Sequence, residues 1–276
     1  MKIYIPTRDR VNAQYTYGNL GPALQAQTVL VCPEDEVQAH LDAGRVAIPR
    51  PAVPLAGVRQ WLVDEAVKNG QGDKPIIMLD DDLCFFVRKE KTAHNLKPAD
   101  WDEVEKIMTR LYHLVGDGSA EDIKRPVVHA GLSPRQGNNW SFPHRTIRNT
   151  RMNAVHCVLP AALHHYGIRY DDVTMMEDYH VTLSLFERGE DNIAITDAAW
   201  DQVKGSGAPG GFSHYRTMER QAEAAHKLVS LHPDTVKIAM KKPSTGAGGF
   251  AGERTDVRVQ WVKTRANAKQ PSTFVR

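Results

Sequence analysis

The sequence predicts an α/β fold with a mostly parallel central sheet flanked by helices. Three observations predict it. Strand-like and helix-like stretches alternate through the first half of the chain, in the order strand, helix, strand, helix, strand, the signature of parallel strands joined by crossover helices. The central stretch, Ile76–Leu79, is a short apolar run set off by Gly72 and Pro75, as suits a buried strand. It ends in Asp80, Asp81 and Asp82, and in open α/β sheets ligands collect at the carboxyl ends of strands.

The elements follow in order. Lys2–Pro6 reads as a strand and Thr28–Val31 as a second. Asp35–Ala43 reads as a helix stopped by Gly44, and Arg45–Ile48 as a third strand. Gly57–Lys68 has helical spacing at Val58, Trp61, Leu62 and Ala66, and Asn69-Gly70 closes it. After the central strand, Leu83–Val87 is apolar again. Pro98–Gly116 is an amphipathic helix with Val104, Ile107, Met108, Leu111 and Leu114 on one face. Pro126–Ala130 reads as a strand, Gly131–Arg151 as a polar, irregular stretch, Ala154–Leu159 as a strand and Pro160–Tyr166 as a short helix. A further helix runs from Glu177 through Phe186 to a Gly189 stop. Asn192–Thr196 and Ala198–Val203 read as two late strands. Gly205–Tyr215 is glycine-rich, and Thr217–Leu231 is a last helix.

Composition narrows the class. The chain has 276 residues, 41% hydrophobic and 25% charged, ordinary for a globular protein with a sizeable core. No stretch approaches the roughly 18 apolar residues of a membrane span. The strand-like Ile3-Tyr4-Ile5 begins at once, so no signal peptide is expected. Cys32, Cys84 and Cys157 are odd in number and far apart, which predicts reduced thiols and excludes a zinc cluster. From Val236 onward nine cations face only Glu253 and Asp256. Such an end suits contact with a polyanion such as DNA, or a solvated tail.

Several residues carry candidate chemistry. Asp80 and Asp82 fall on one side of an extended backbone and Asp81 on the other. Three adjacent carboxylates repel unless solvated or neutralised, and one or two carboxylates plus substrate phosphates commonly hold Mg²⁺. An acidic turn capping a strand is the plainer reading. Thr7 and Arg8 follow the first strand, and Arg59 lies in the first turn of a helix, where anions bind well. Trp140, Phe142, His144, Arg145, Arg148 and Arg151 interleave aromatics with cations, a pattern suited to bases and phosphates or to an ordinary pinned loop. Glu177 and Asp178 open a helix, where its dipole favours carboxylates. The stretch around Gly205–Tyr215 suits a lid over a ligand, with His214 at its end.

Taken together, the Asp-x-Asp at a central strand's end, the later Glu177-Asp178 and the glycine-rich segment with His214 resemble the GT-A glycosyltransferases, from Ile3 to about Leu231. Ile77-Met78-Leu79-Asp80-Asp81-Asp82, Met175-Met176-Glu177-Asp178-Tyr179 and Gly210-Gly211-Phe212-Ser213-His214-Tyr215-Arg216 are similar to the phage-encoded glycosyltransferases that accompany TET/JBP-type pyrimidine hydroxylases. The resemblance implies a GT-A domain over residues 1–235 with a basic extension over 236–276. It implies transfer from a nucleotide-sugar, a UDP-sugar, to 5-hydroxymethylcytosine in DNA, in a cytoplasmic setting. Asp80, Asp82 and His214 would hold Mn²⁺ or Mg²⁺. Asp178 would be the base of an inverting transfer, with Glu177 beside it. Thr7, Arg8, Glu34, Arg59 and Asp81 would line the nucleotide-sugar site, and Trp140, His144, Arg145 and Arg148 would meet the acceptor. Cys32-Pro33-Glu34 departs from the family, where Asp residues commonly follow the second strand, so the donor base stays open. A sugar-phosphate nucleotidyltransferase and a metal-dependent nuclease are the alternatives.

Overall fold

The computed structural model describes residues 1–88, 94–120, 125–203, 211, 215–242, 252–268 and 272–275. The chain begins with β1 (Lys2–Pro6), then α1 (Tyr15–Asn19) and α2 (Gly21–Gln25), two short helices that the sequence reading left unassigned. β2 (Thr28–Cys32), α3 (Glu34–Asp42), β3 (Ala47–Pro49) and α4 (Leu55–Lys68) lead to β4 (Ile76–Leu79). β5 (Leu83–Arg88), β6 (Leu96–Pro98) and α5 (Trp101–Val115) follow, then β7 (His129–Pro134), β8 (Thr146–Arg148), β9 (Val155–Val158) and α6 (Pro160–Tyr166). α7 (Glu177–Glu187), β10 (Asn192–Gln202), α8 (Met218–Leu231), β11 (Val236–Lys241), β12 (Arg254–Val259) and α9 (Trp261–Ala266) complete it.

The main sheet has ten strands in the order β3-β2-β1-β4-β9-β7-β10-β5-β6, with β8 also on β10. The mostly parallel expectation is corrected: the sheet is mixed. β3, β2, β1 and β4 run parallel, as do β7 and β10. β9 lies antiparallel between β4 and β7, β5 and β8 antiparallel to β10, and β6 antiparallel to β5. The reason is connectivity. Parallel neighbours need crossover helices, and the run from β1 to β4 has them in α1 to α4. Beyond β4 the chain turns directly into β5.

Other departures have local causes. β7 begins three residues later than Pro126, because the Val127 amide is taken by the Leu114 carbonyl at the end of α5 (3.0 Å). The two late strands are one, β10, with a register shift between Ile195 and Ala199. The stretch expected to be irregular holds a 3₁₀ turn at Asn138–Ser141 and the short β8.

Burial confirms the apolar pattern where it was strongest. All four residues of β4 are buried, and Ile3 of β1 sits opposite Ile77. α5 buries every apolar residue of its expected face. Asp100 caps it, accepting from the Glu103 amide (2.8 Å) while the Glu103 carboxylate takes the Asp100 amide (3.0 Å), a reciprocal cap worth about 1 kcal/mol. None of the three cysteines forms a disulfide. Among the described residues no helix is long and apolar enough to cross a membrane.

Polar groups lie deep under the sheet face that α4 covers. His129 of β7 and His156 of β9 are fully buried and stacked, ring centroids 5.6 Å apart and 9° from parallel. Among the described residues neither ring has a hydrogen-bond partner, and the nearby Tyr170 hydroxyl has none either. Burial therefore holds both imidazoles neutral, His129 down to about 3 and His156 well below its ordinary value. The unfolded chain takes up these protons near pH 6.5 and the folded chain only at lower pH. The contribution of the two histidines is thus full above about 6.5 and falls as pH drops below it, by at most about 1.4 kcal/mol per pH unit for each. Urea unfolding from pH 7 to 4 is expected to show this loss as a difference between the unsubstituted protein and His129→Leu, since the raised carboxylates act with the opposite sign in both. An identical slope in that variant would remove His129 as a source.

Candidate active site

The site forms where β1 and β4 end side by side. Because they are parallel, Thr7–Gln14 and Asp80–Asp82 leave the sheet at the same rim. Asp81 turns inward, where its carboxylate accepts from Thr7 Oγ1 (2.7 Å) and from the Arg10 guanidinium. Gln14 Nε2 donates to Thr7 Oγ1 (2.8 Å) and to the Arg10 carbonyl (3.0 Å). Thr16 pins the turn itself. Its hydroxyl donates to the Asp80 carbonyl (2.6 Å) and accepts from the Leu83 amide (2.8 Å). Burial pushes Asp81 up to about 7, against the pull of Arg10 and Thr7.

Asp80 faces elsewhere, as alternation along an extended chain requires. Its Oδ1 accepts from Arg59 Nη2 (2.6 Å), and Arg59 Nη1 donates to Glu177 Oε1 (2.6 Å). Arg59 is 3% exposed. Burial opposes its charge, but the Asp80 and Glu177 carboxylates outweigh that and hold it above its ordinary value. Burial likewise raises Asp80 and Glu177, with Arg59 pulling both down. One guanidinium on α4 thus joins the end of β4 to the start of α7.

Asp82 and Asp178 are the less committed carboxylates. Asp82 Oδ2 lies 3.6 Å from Arg10 Nη1, and Gln202 Nε2 stands 3.5 Å from its Oδ1. Its carbonyl accepts from the Val203 amide (2.7 Å), so the end of β10 closes this side. Burial raises Asp82, opposed by Arg10, Gln202 and Arg216. Asp178 Oδ2 is 3.6 Å from Arg151 Nη2, beyond hydrogen-bond length. Arg151 in turn stacks on the Tyr179 ring, 4.3 Å from its centroid. Met176, at φ 61°, takes the left-handed conformation that sets Glu177 and Asp178 on the first turn of α7.

The structure brings Thr7, Arg59, Asp80, Asp81, Asp82, Glu177 and Asp178 to one rim. Arg8 is close by, its carbonyl accepting from the Gly211 amide (2.7 Å). Gly211 has φ +69°, and a Cβ there would lie 3.4 Å from the Arg10 guanidinium. Glu34 is exposed at the head of α3; Glu36 is the residue that turns to this rim, accepting from the Asp9 amide (2.9 Å). His214 and most of Gly205–Tyr215 lie outside the described residues. Trp140, His144, Arg145 and Arg148 are gathered elsewhere, along the middle of β10. The His144 carbonyl accepts from Thr196, Arg145 pairs with Asp197 (2.8 Å) and Arg148 with Asp191 (3.5 Å), while Trp140 is 93% exposed. Thr196 is six residues from Gln202, roughly 20 Å along a strand.

Sequence reasoning missed Arg10, Gln14, Thr16 and Arg216, and left Arg151 within a loop. Arg216 is exposed, and its charge acts on both Asp80 and Asp82. A signal existed for Arg10: it stands close behind a strand end, beside Thr7 and Arg8, in a chain whose central strand ends in three carboxylates.

Carboxylate oxygens suit Mg²⁺ or Mn²⁺. Asp80 keeps one oxygen clear of Arg59, and Asp82 lies beside it, so the pair fits a divalent cation completed by donor phosphates. Among the described residues no group of three ligating side chains assembles a metal site by itself.

A family model described as TET-Associated Glycosyltransferase matches residues 1–211. No curated protein matches the chain. Similar solved structures include S. aureus TarS 1–349, at 12% identity and a TM-score of 0.45, covering 83% of this chain and 66% of that one. The same protein in complex with UDP-GlcNAc is 11% identical with a TM-score of 0.47, covering 83% and 67%. GalNAc-T7 with UDP, GalNAc and Mn²⁺ is 9% identical with a TM-score of 0.46, covering 82% and 47%. The chain spans about two thirds of the TarS fragment and about half of GalNAc-T7.

Removing one partner of a buried ion network strands the others without compensation, at about 3–5 kcal/mol. Arg59→Met is expected to lower the unfolding free energy by about that much in urea melts. Arg59→Lys, which keeps the charge but lacks the fork, is expected to fall between. A loss below about 1 kcal/mol in Arg59→Met, the size of a surface pair, would deny Arg59 its central place.

Proposed function

We propose that this chain, which belongs to the TET-associated glycosyltransferase family, transfers a sugar from a UDP-sugar to the hydroxyl of 5-hydroxymethylcytosine in DNA, with inversion. The observation that carries this reading is the Arg59 bridge, which sets the Asp80–Asp82 turn and the Glu177-Asp178 helix start in one site. A GT-A transferase needs an acidic donor end and a basic catalytic group facing the same sugar carbon.

The roles follow from how committed each carboxylate is. Glu177 is fixed by Arg59, so it positions the helix start. Asp178 has a guanidinium near but no hydrogen bond to it, so its oxygens are available to a substrate hydroxyl. As the acceptor oxygen forms its bond to the anomeric carbon, its proton passes to Asp178, and the bond to the nucleoside diphosphate breaks with the electron pair leaving on phosphate. A positioned base of this kind contributes about 10²–10⁴-fold. A divalent cation held by Asp80 and Asp82, with His214, would neutralise charge on the departing diphosphate. Arg216 brings a further cation toward the same carboxylates. Arg8 and Glu34 are assigned to the nucleotide-sugar, and Arg59, buried and bonded to Asp80 and Glu177, to holding that site together. Thr7 and Asp81, bonded to each other, hold the wall it rests on. Trp140, His144, Arg145 and Arg148 are assigned to acceptor DNA beyond the reacting base.

The test is direct. The protein is incubated with Mn²⁺ or Mg²⁺, a panel of sugar nucleotides, and DNA with and without 5-hydroxymethylcytosine, and the digested nucleosides are weighed by mass spectrometry. A sugar adduct on the hydroxymethylated base is expected. Asp178→Ala is expected to cut its rate by about 10²–10⁴-fold, and Asp82→Ala to abolish it. Pyrophosphate released from a nucleoside triphosphate and a sugar phosphate would instead mark a nucleotidyltransferase. Nicked plasmid without any donor would mark a nuclease.

A further inference from the structure

The family match ends at residue 211, and described elements beyond it, α8, β11, β12 and α9, sit against α7. Ala225 and Leu228 of α8, Val236 of β11 and Val257 of β12 share a buried cluster with Tyr179 and Leu183 of α7. Trp261 of α9 packs edge-on against Tyr179, ring centroids 5.2 Å apart. Tyr179 is the residue after Asp178. The C-terminal unit is therefore built onto the helix that presents the proposed base.

β11 and β12 form a two-stranded antiparallel ribbon of their own. Cross-strand partners share a face. Val236 with Val259 and Ile238 with Val257 make one face, which meets α8 through buried Val236 and Val257. Lys237 with Arg258, Ala239 with Asp256, and Lys241 with Arg254 make the other. That face carries four cations and one carboxylate. Asp256 is buried and draws Lys241 (3.0 Å) and Arg254 (3.3 Å) onto itself. Lys237 and Arg258 are exposed and pair with no carboxylate among the described residues. Asp256 and Arg254 also act on the Tyr179 hydroxyl, as do Arg151 and Asp178.

We propose that the β11–β12 ribbon is a docking surface for duplex DNA, with Lys237 and Arg258 on backbone phosphates. The inference rests on the proposed DNA acceptor and says where the duplex is held. Charge complementarity is its first support. Shape is its second: a two-stranded ribbon fits the roughly 12 Å major groove of B-form DNA. Six residues per strand span roughly 20 Å, about half a turn of duplex along its axis. Position is its third, since the ribbon shares a buried cluster with Tyr179 and Leu183 of α7, the helix that carries the proposed base.

The experiment uses the full chain and the paired substitution Lys237→Gln with Arg258→Gln, its fold checked by an unchanged melting temperature. Binding to a 20-base-pair DNA duplex is measured across salt concentrations, and sugar transfer to a hydroxymethylated duplex is scored beside it in the unsubstituted protein. The substitutions are expected to weaken binding about tenfold or more and to lower the slope of log affinity against log salt by about 2. Unchanged affinity and slope, with transfer present, overturn the ribbon and leave the acceptor reading standing. Ribbon-dependent binding without any transfer keeps the ribbon and sinks the acceptor reading. An RNA duplex bound more tightly than the DNA duplex, or no duplex bound at all, also overturns the proposal.

Discussion

A single buried guanidinium organises the site. Arg59 enters a place that a cation occupies only if it is paired and hydrogen-bonded. It is repaid by two carboxylates at 2.6 Å, from Asp80 and from Glu177. The residues stand far apart in sequence, on α4, at the end of β4 and at the start of α7, so this network closes only when the long-range fold is complete. The dependence runs both ways. Asp80 and Glu177 could not stay ionised beneath the surface without Arg59, and Arg59 could not stay buried without them.

The same logic repeats one residue along. Asp81 is held by Thr7 and Arg10, and Gln14 fixes both of those. Two arginines therefore divide an acidic triplet that would otherwise repel itself. The side-chain alternation of an extended chain decides the division, sending Asp81 toward the β1 loop and Asp80 toward α4. What remains after both ion pairs form is a small set of carboxylate oxygens without a close guanidinium bond, from Asp80, Asp82 and Asp178. For the proposed diphosphate donor that remainder is what a cation and a substrate hydroxyl would use.

Much of this was legible in the sequence, for reasons that are local. Ile76–Leu79 announced a buried strand by composition, and the acidic triplet after it marked the functional rim. α5 announced itself by its period and its Asp100/Glu103 cap. Glu177 and Asp178 were placed at a helix start by their own sequence, but their role came only from the family resemblance, since a helix dipole alone favours carboxylates there. What the sequence did not give away depends on contacts between distant segments. Nothing near Arg59 says that its partner lies 118 residues on, and its place in a helix's first turn suggested a ligand anion rather than Glu177. The mixed sheet was hidden for the same reason, because apolar strands carry no mark of direction. Trp140 and the arginines after it were read as one group, and their position on β10 is set by Thr196, Asp197 and Asp191, which the loop's own sequence does not mention.

α7 is consequently held from two sides that have no local relation. On one side Arg59 fixes Glu177. On the other, α8, α9 and the ribbon pack on Tyr179 and Leu183, and a polar chain runs beside them. His180 Nε2 meets Asp172 (3.2 Å), His180 Nδ1 meets His232 Nε2 (3.0 Å), and His232 Nδ1 meets Glu187 (2.8 Å). His232 caps the end of α8, so this chain ties α8 to α7 by directional bonds as well as by apolar contact. Between the two clamps lies Asp178, the one acidic residue of the helix start that neither clamp consumes. Rigid support on both flanks with a free carboxylate between them is the arrangement a positioned base requires. The described residues beyond the matched region contribute to this support: α8, β11 and β12 bury the far side of the helix that carries the proposed base.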